Sequence, residues 1–167
     1  MKKYLFLALT TLVIISCSKT TDQEYFDRGN KFLKENKINE AITSYENLVN
    51  DYPESDITPK ALVQLASIYQ NQSVKNVKTE ESFNRAQKYF IQVYEKYPES
   101  EEAPKSLFMA GYILANDLQK YDDATKSYKL FIEKYPKHPL AVSAKQELDN
   151  MGISPEEILK RTETIKQ

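Results

Sequence analysis

Ala41-Ile42-Thr43-Ser44-Tyr45-Glu46-Asn47-Leu48-Val49-Asn50-Asp51-Tyr52-Pro53 is a phrase the chain writes three times. An alanine is followed four positions later by an aromatic, and seven after that by Tyr-Pro. The same frame returns as Ala86…Phe90…Tyr97-Pro98 and as Ala124…Tyr128…Tyr135-Pro136. Self-similarity at a period near forty residues marks a stacked array of small structural units, and it outranks any local assignment. Arrays of this kind offer an extended surface to a partner. The pattern therefore predicts a binding module, not a catalyst.

Working outward, each phrase sits on a helical stripe. Ile38, Ala41, Ile42, Tyr45, Leu48, Val49 and Tyr52 share one face at helix spacing. Further stripes run from Phe83 to Tyr97, from Leu107 to Leu118 and from Ala124 to Tyr135, and Ala61 to Tyr69 is apolar over a broader face. All seven prolines fall at helix boundaries. Pro53, Pro98 and Pro136 stop helices, whereas Pro59, Pro104, Pro139 and Pro155 stand in or beside first turns, where a missing N–H costs nothing. Thr58 is the expected N-cap before Pro59, and Ser154-Pro155-Glu156-Glu157 has capping-box spacing. Eight helices are predicted, at 22–35, 38–52, 58–71, 79–97, 101–117, 120–135, 138–150 and 155–166. The fold class is all-α.

The opening segment follows different rules. Met1-Lys2-Lys3, an apolar run from Leu5 to Ile15, and then Ser16-Cys17 are the parts of an export signal. The run is too short to span a bilayer comfortably. Ile14-Ile15-Ser16-Cys17 resembles the lipobox of bacterial lipoproteins, which implies cleavage after residue 16 and a covalent lipid on Cys17. An ordinary cleaved signal with an incidental cysteine is the alternative. Removing Lys2 and Lys3 leaves 21 basic against 24 acidic side chains, a net of −3. No like-charge block stands out, so nucleic-acid binding has no electrostatic footprint. With a single cysteine, the mature chain cannot close a disulfide on itself, and packing must supply its stability.

The three phrases resemble the tetratricopeptide repeat (TPR) family over roughly residues 22–150. Tyr25, Gly29, Phe32, Ala41, Tyr45 and Pro53 fall on the family's large, small and aromatic positions. Leu62, Leu65, Ala66, Tyr69, Ala86, Phe90 and Pro98 do so in the second repeat. In the third, Leu107, Gly111, Leu114, Ala124, Tyr128 and Pro136 do so. From small residue to alanine the spacing is 12 (29 to 41), then 20 (66 to 86), then 13 (111 to 124), so the second repeat carries an insertion of about eight. The resemblance implies an α-α superhelix of about three helix pairs plus a terminal capping pair. Its parts would be a signal peptide at 1–16, a lipidated tether at 17–21 and repeats at 22–54, 58–99 and 104–137. A half-repeat at 138–150 and a C-terminal capping helix within 151–167 would complete it. Small residues matter because they let paired helices cross within ~8–10 Å while aromatics fill the space beside them.

A narrower resemblance lies in the linkers. Tyr52-Pro53-Glu54-Ser55-Asp56 and Tyr97-Pro98-Glu99-Ser100-Glu101 are near copies, while Tyr135-Pro136-Lys137-His138-Pro139 keeps only the opening. This form is similar to the lipoproteins of the outer-membrane β-barrel assembly machinery (the BamD-like family) and to the TPR portion of the Tol–Pal (YbgF-like) envelope-constriction proteins. The first likeness implies a periplasm-facing, outer-membrane-anchored monomer that holds a β-barrel assembly subunit or receives unfolded outer-membrane proteins. Ser18 after the cysteine, in place of Asp, fits outer-membrane sorting in some bacteria, and surface exposure stays open. This chain has fewer repeats than the assembly lipoproteins and lacks the N-terminal coiled coil of the Tol–Pal proteins. An adaptor of cell-wall or division complexes and an accessory of a surface glycan system remain alternatives.

The same resemblance places a partner groove on the first helix of each pair. Phe26, Asn30, Leu33 and Lys34 are expected there from the first repeat. Lys60, Val63, Ser67, Gln70 and Asn71 come from the second, and Lys105, Phe108, Tyr112 and Asn116 from the third. Phe26, Phe108 and Tyr112 would anchor apolar side chains, and the amides would bond a peptide backbone. The family's clamp for a peptide carboxylate is not matched beyond Asn30 and Lys105. The insertion Asn71–Ser82 reads as a tolerated extension, with a binding loop as the sharper alternative. Catalysis finds little support. His138 is the only histidine and lies in a linker, so no histidine-based metal site can form. No Gly-rich phosphate loop exists, and nothing selects a working pair among 24 carboxylates. The expectation is a non-enzyme without cofactors, apart from the lipid on Cys17.

Overall fold

A computed structural model describes residues 19–154 together with 156 and 157. Seven helices follow one another among these residues, with no strand. They are α1 (Asp22–Lys34), α2 (Ile38–Asp51), α3 (Thr58–Gln70), α4 (Thr79–Lys96), α5 (Glu102–Tyr112, prolonged by a π segment Ile113–Asp117), α6 (Tyr121–Lys134) and α7 (Leu140–Asp149). Every end falls within two residues of the sequence expectation. The leader, Cys17 and most of the expected eighth helix lie outside the described residues. Glu157 N–H donates to Ser154 Oγ at 3.3 Å, where that helix was expected to begin.

Consecutive helices pack as antiparallel pairs, α1 on α2, α3 on α4 and α5 on α6, and each pair lies against the next. This is the α-α superhelix that the repeats imply. Its first crossing shows why a small residue is required. A Cβ added at Gly29 would stand 2.5 Å from Tyr45 Cε1. Real Cβ atoms do not approach so closely, and Tyr45 is wholly buried, so its ring has nowhere to go. Gly111 repeats the arrangement against Tyr128 at 3.0 Å. Ala66 and the buried Phe90 occupy the corresponding places in the second repeat.

One apolar cluster joins repeats one and two, from Ala41 to Ile113, and a second joins repeat three to α7. Ile91, Met109 and Leu118 touch both, so the core is continuous along the stack. Such continuity is what a repeat needs, because no single helix pair buries its own apolar faces.

The ends of the second helices are nearly identical. Tyr52, Tyr97 and Tyr135 have φ/ψ of −134/55, −131/54 and −128/52. Each donates its N–H back to its helix, and the proline that follows forbids continuation. The first helices end instead on a left-handed residue: Asn36 (φ 57), Gln72 (φ 52) and Gln119 (φ 52).

Two local expectations need correction. Thr58 is not an N-cap; it lies within the first turn of α3, fully buried, and its hydroxyl donates to the Tyr52 carbonyl at 2.6 Å. The cap it was expected to provide is spent on closing the linker. The insertion Asn71–Ser82 is not wholly an exposed extension either. Its last four residues form the first turn of α4, and buried Ser82 donates to the Tyr69 carbonyl at 2.7 Å.

Candidate partner-binding site

The first helices of successive pairs touch one another, α3 against α5 and α5 against α7, and so form one wall of the stack. α1 and this wall carry the groove residues expected from the sequence, and the structure sorts them into three groups. Lys34, Lys60, Asn71, Lys105 and Asn116 are exposed, and Tyr112 is 37 % exposed. Phe26, Asn30, Leu33, Val63, Ser67 and Gln70 are half-buried.

Phe108 stands apart. It is only 8 % exposed, and its ring packs 5.5 Å from Tyr128 and 5.8 Å from Phe131. It was expected as an anchor for a partner, but it belongs to the core. Phe26 shows how this comes about, since it makes the same tilted contact with Tyr45 at 5.8 Å. In the first and third repeats this position leans onto the aromatic of the second helix.

Several polar side chains of the wall are already engaged. Asn30 Oδ1 accepts from the Tyr45 hydroxyl at 2.8 Å, which leaves its NH₂ for another acceptor. Ser67 donates to the Val63 carbonyl at 2.9 Å, and Asn116 to the Tyr112 carbonyl at 3.2 Å. Gln70, Asn71 and the Tyr112 hydroxyl make no such bond among the described residues. They are the groups best placed to bond a partner's backbone. Burial raises the Tyr45 hydroxyl to about 12, and it raises those of Tyr89 and Tyr128 as well. These phenols are neutral donors at physiological pH.

The wall ends in an irregularity whose signal was present in the spacing. The third repeat has one residue more between its small residue and its alanine, and the structure absorbs it as the π segment Ile113–Asp117. There Leu118 N–H reaches back to the Ile113 carbonyl at 2.9 Å. One inserted residue within a helix yields this wider turn, and such bulges concentrate at functional positions. Tyr112 and Asn116 flank and occupy it.

Sequence reading missed a second concavity. The two near-copied linkers stand side by side and enclose a cleft of 630 Å³, walled by Pro53, Pro59, Tyr97 and Pro98 and rimmed by carboxylates. The Tyr97 hydroxyl donates to the Pro53 carbonyl at 2.7 Å, which ties the second linker to the first. Ser55 donates to Asp22, but Ser100, its counterpart, has no partner for its buried Oγ. The duplicated motif was the available signal, although only coordinates show that the copies are neighbours.

Among the described residues no three His, Cys, Asp or Glu side chains converge to hold a metal ion. No described helix is long and apolar enough to cross a membrane. In comparisons with known proteins, the tetratricopeptide repeat family model matches residues 26–55 and 105–138, the first and third repeats. No curated protein matches the chain. The second repeat escapes the match, and it is the one stretched by the insertion. The family match and the glycine–tyrosine crossings fall on the same two helix pairs: the first and third repeats are similar to tetratricopeptide repeats.

Proposed function

We propose that the protein is a non-catalytic scaffold of outer-membrane β-barrel assembly, lipid-anchored through Cys17 and facing the periplasm. The observation that carries the scaffold reading is the wall of first helices. It presents exposed Tyr112 and unengaged amides at Gln70 and Asn71 over a rigid, continuous core. A wall of this kind suits an extended or helical segment of another protein, with side chains seated on the aromatic and backbone groups bonded to the amides. The tetratricopeptide repeats support protein binding as the activity. The finer assignment is supported by the lipobox-like Ile14-Ile15-Ser16-Cys17 and by the paired Tyr-Pro-Glu-Ser linkers.

Mild crosslinking in intact cells tests the assignment. Co-purification with a barrel-inserting protein is the expected result. Recovery of the chain with a peptidoglycan-linked division protein in its place would overturn the assembly role in favour of the adaptor reading.

A further inference from the structure

The segment that follows Cys17 is docked onto the stack. The Tyr52 hydroxyl donates to the Thr20 carbonyl at 2.7 Å, and the Lys19 ammonium lies 4.9 Å from the centre of the Tyr52 ring. Thr21 caps α1 in a reciprocal box with Glu24, its Oγ1 accepting at 3.2 Å and its N–H donating at 2.8 Å. The next residue, Asp22, accepts from the Ser55 hydroxyl. Contacts to the stack thus reach to Lys19, two positions from Cys17 in the sequence, and two residues span at most about 7 Å.

We infer that the linker edge of the stack rests against a lipid surface in a fixed attitude, with no loose leash to let it tumble. The inference builds on lipidation of Cys17 as proposed above. Because the edge consists of helix ends, the helices would stand up from the bilayer. The wall of first helices would then open sideways, parallel to the membrane.

The charge of the edge selects the kind of surface. Glu54, Asp56, Glu99, Glu101 and Glu102 rim the cleft there, against Lys60 and Lys96. None of the seven makes an ion pair among the described residues. Near an anionic leaflet such an edge is repelled over about a Debye length, roughly 8 Å at physiological salt. A zwitterionic leaflet, whose outermost groups are cationic, accommodates it.

The attitude is measurable because α2 runs from the far edge to the near one. A rise of about 1.5 Å per residue places Asn39 about 18 Å beyond Asp51. The full chain, extracted from membranes and reconstituted into phosphatidylethanolamine–phosphatidylcholine vesicles, would carry a fluorescent amino acid at Glu54 or at Asn39. Energy transfer to a headgroup acceptor should be about twofold or more higher from Glu54 than from Asn39, given that separation. Inserting ten Gly-Ser residues between Ser18 and Lys19 should bring the two values together. Adding phosphatidylglycerol at low salt should reduce transfer from Glu54. Equal transfer from both sites in the chain without the insertion would overturn the fixed attitude. The anchor has a separate readout: Cys17→Ser should release the protein into the soluble periplasmic fraction. If that variant stayed with the membrane, the lipid anchor itself would be refuted, whatever the transfer values.

Discussion

The first and third repeats build the same crossing with different tolerances. A Cβ added at Gly29 would stand 2.5 Å from Tyr45, and the Tyr45 hydroxyl is satisfied by Asn30 at 2.8 Å. A Cβ added at Gly111 would stand 3.0 Å from Tyr128, and there the residue after the glycine is Tyr112, which leaves the buried Tyr128 hydroxyl without a protein partner. The first repeat is closed and polar-satisfied. The third has traded that hydrogen bond for an exposed aromatic on the wall of first helices. The difference teaches that repeat positions obey two demands, packing between helices and presentation to a partner, and that one residue type seldom meets both.

Substitutions can break the comparison. The largest effect is expected from Gly29→Ala, which should destabilise by about 1–3 kcal/mol through overpacking, even after the helix-propensity gain of up to about 1 kcal/mol. Thermal or urea unfolding measures it. Tyr45→Phe should cost about 1 kcal/mol, because it removes the hydroxyl bonded to Asn30. Gly111→Ala should be smaller still, within about 1 kcal/mol of the parent, since the milder crowding of a Cβ at 3.0 Å is offset by propensity. Tyr128→Phe should be neutral or slightly stabilising, because it deletes a buried hydroxyl that bonds to no protein group. An equal loss from the two tyrosine variants would dissolve the distinction.

Alkaline titration sharpens the same contrast. Burial holds Tyr45 at about 12 in the folded chain, above the ordinary value of 10.0, so the unfolded chain loses that proton first. Between those pH values the folded state holds more protons, and stability falls as pH rises. The stability is fully present below pH 10 and is lost on the way to 12. Melting temperature should therefore decline across this window, less steeply in Tyr45→Phe than in the parent.

Much of the fold was legible in sequence because its signals are local and repeated. A Tyr-Pro stop, a small residue and an aromatic each act within one helix pair, and their recurrence fixed seven helix spans. The misreadings came where a residue answers to something distant. Thr58 looked like a cap, but its hydroxyl turns to Tyr52 across the linker. Phe108 looked like a groove residue, but Tyr128 and Phe131 of α6 claim its ring. Left-handed ends at Gln72 and Gln119 carry no sequence mark, whereas Asn36 at the equivalent end is a residue type that tolerates that geometry. The extra residue of the third repeat was countable, but its form as a π turn depended on how α5 packs on α4 and α6. The linker cleft required knowing that two copied segments, 45 residues apart, are stacked side by side.

The central claim is that the wall of first helices grips another protein, and Tyr112 is its most exposed aromatic. A photo-crosslinking amino acid at that position, activated in living cells, tests this directly. The account predicts a covalent adduct with a barrel-inserting subunit or an unfolded outer-membrane protein, absent when the same probe replaces Lys129 on α6. Uncrosslinked chain alone, or equal adducts from both positions, would contradict it.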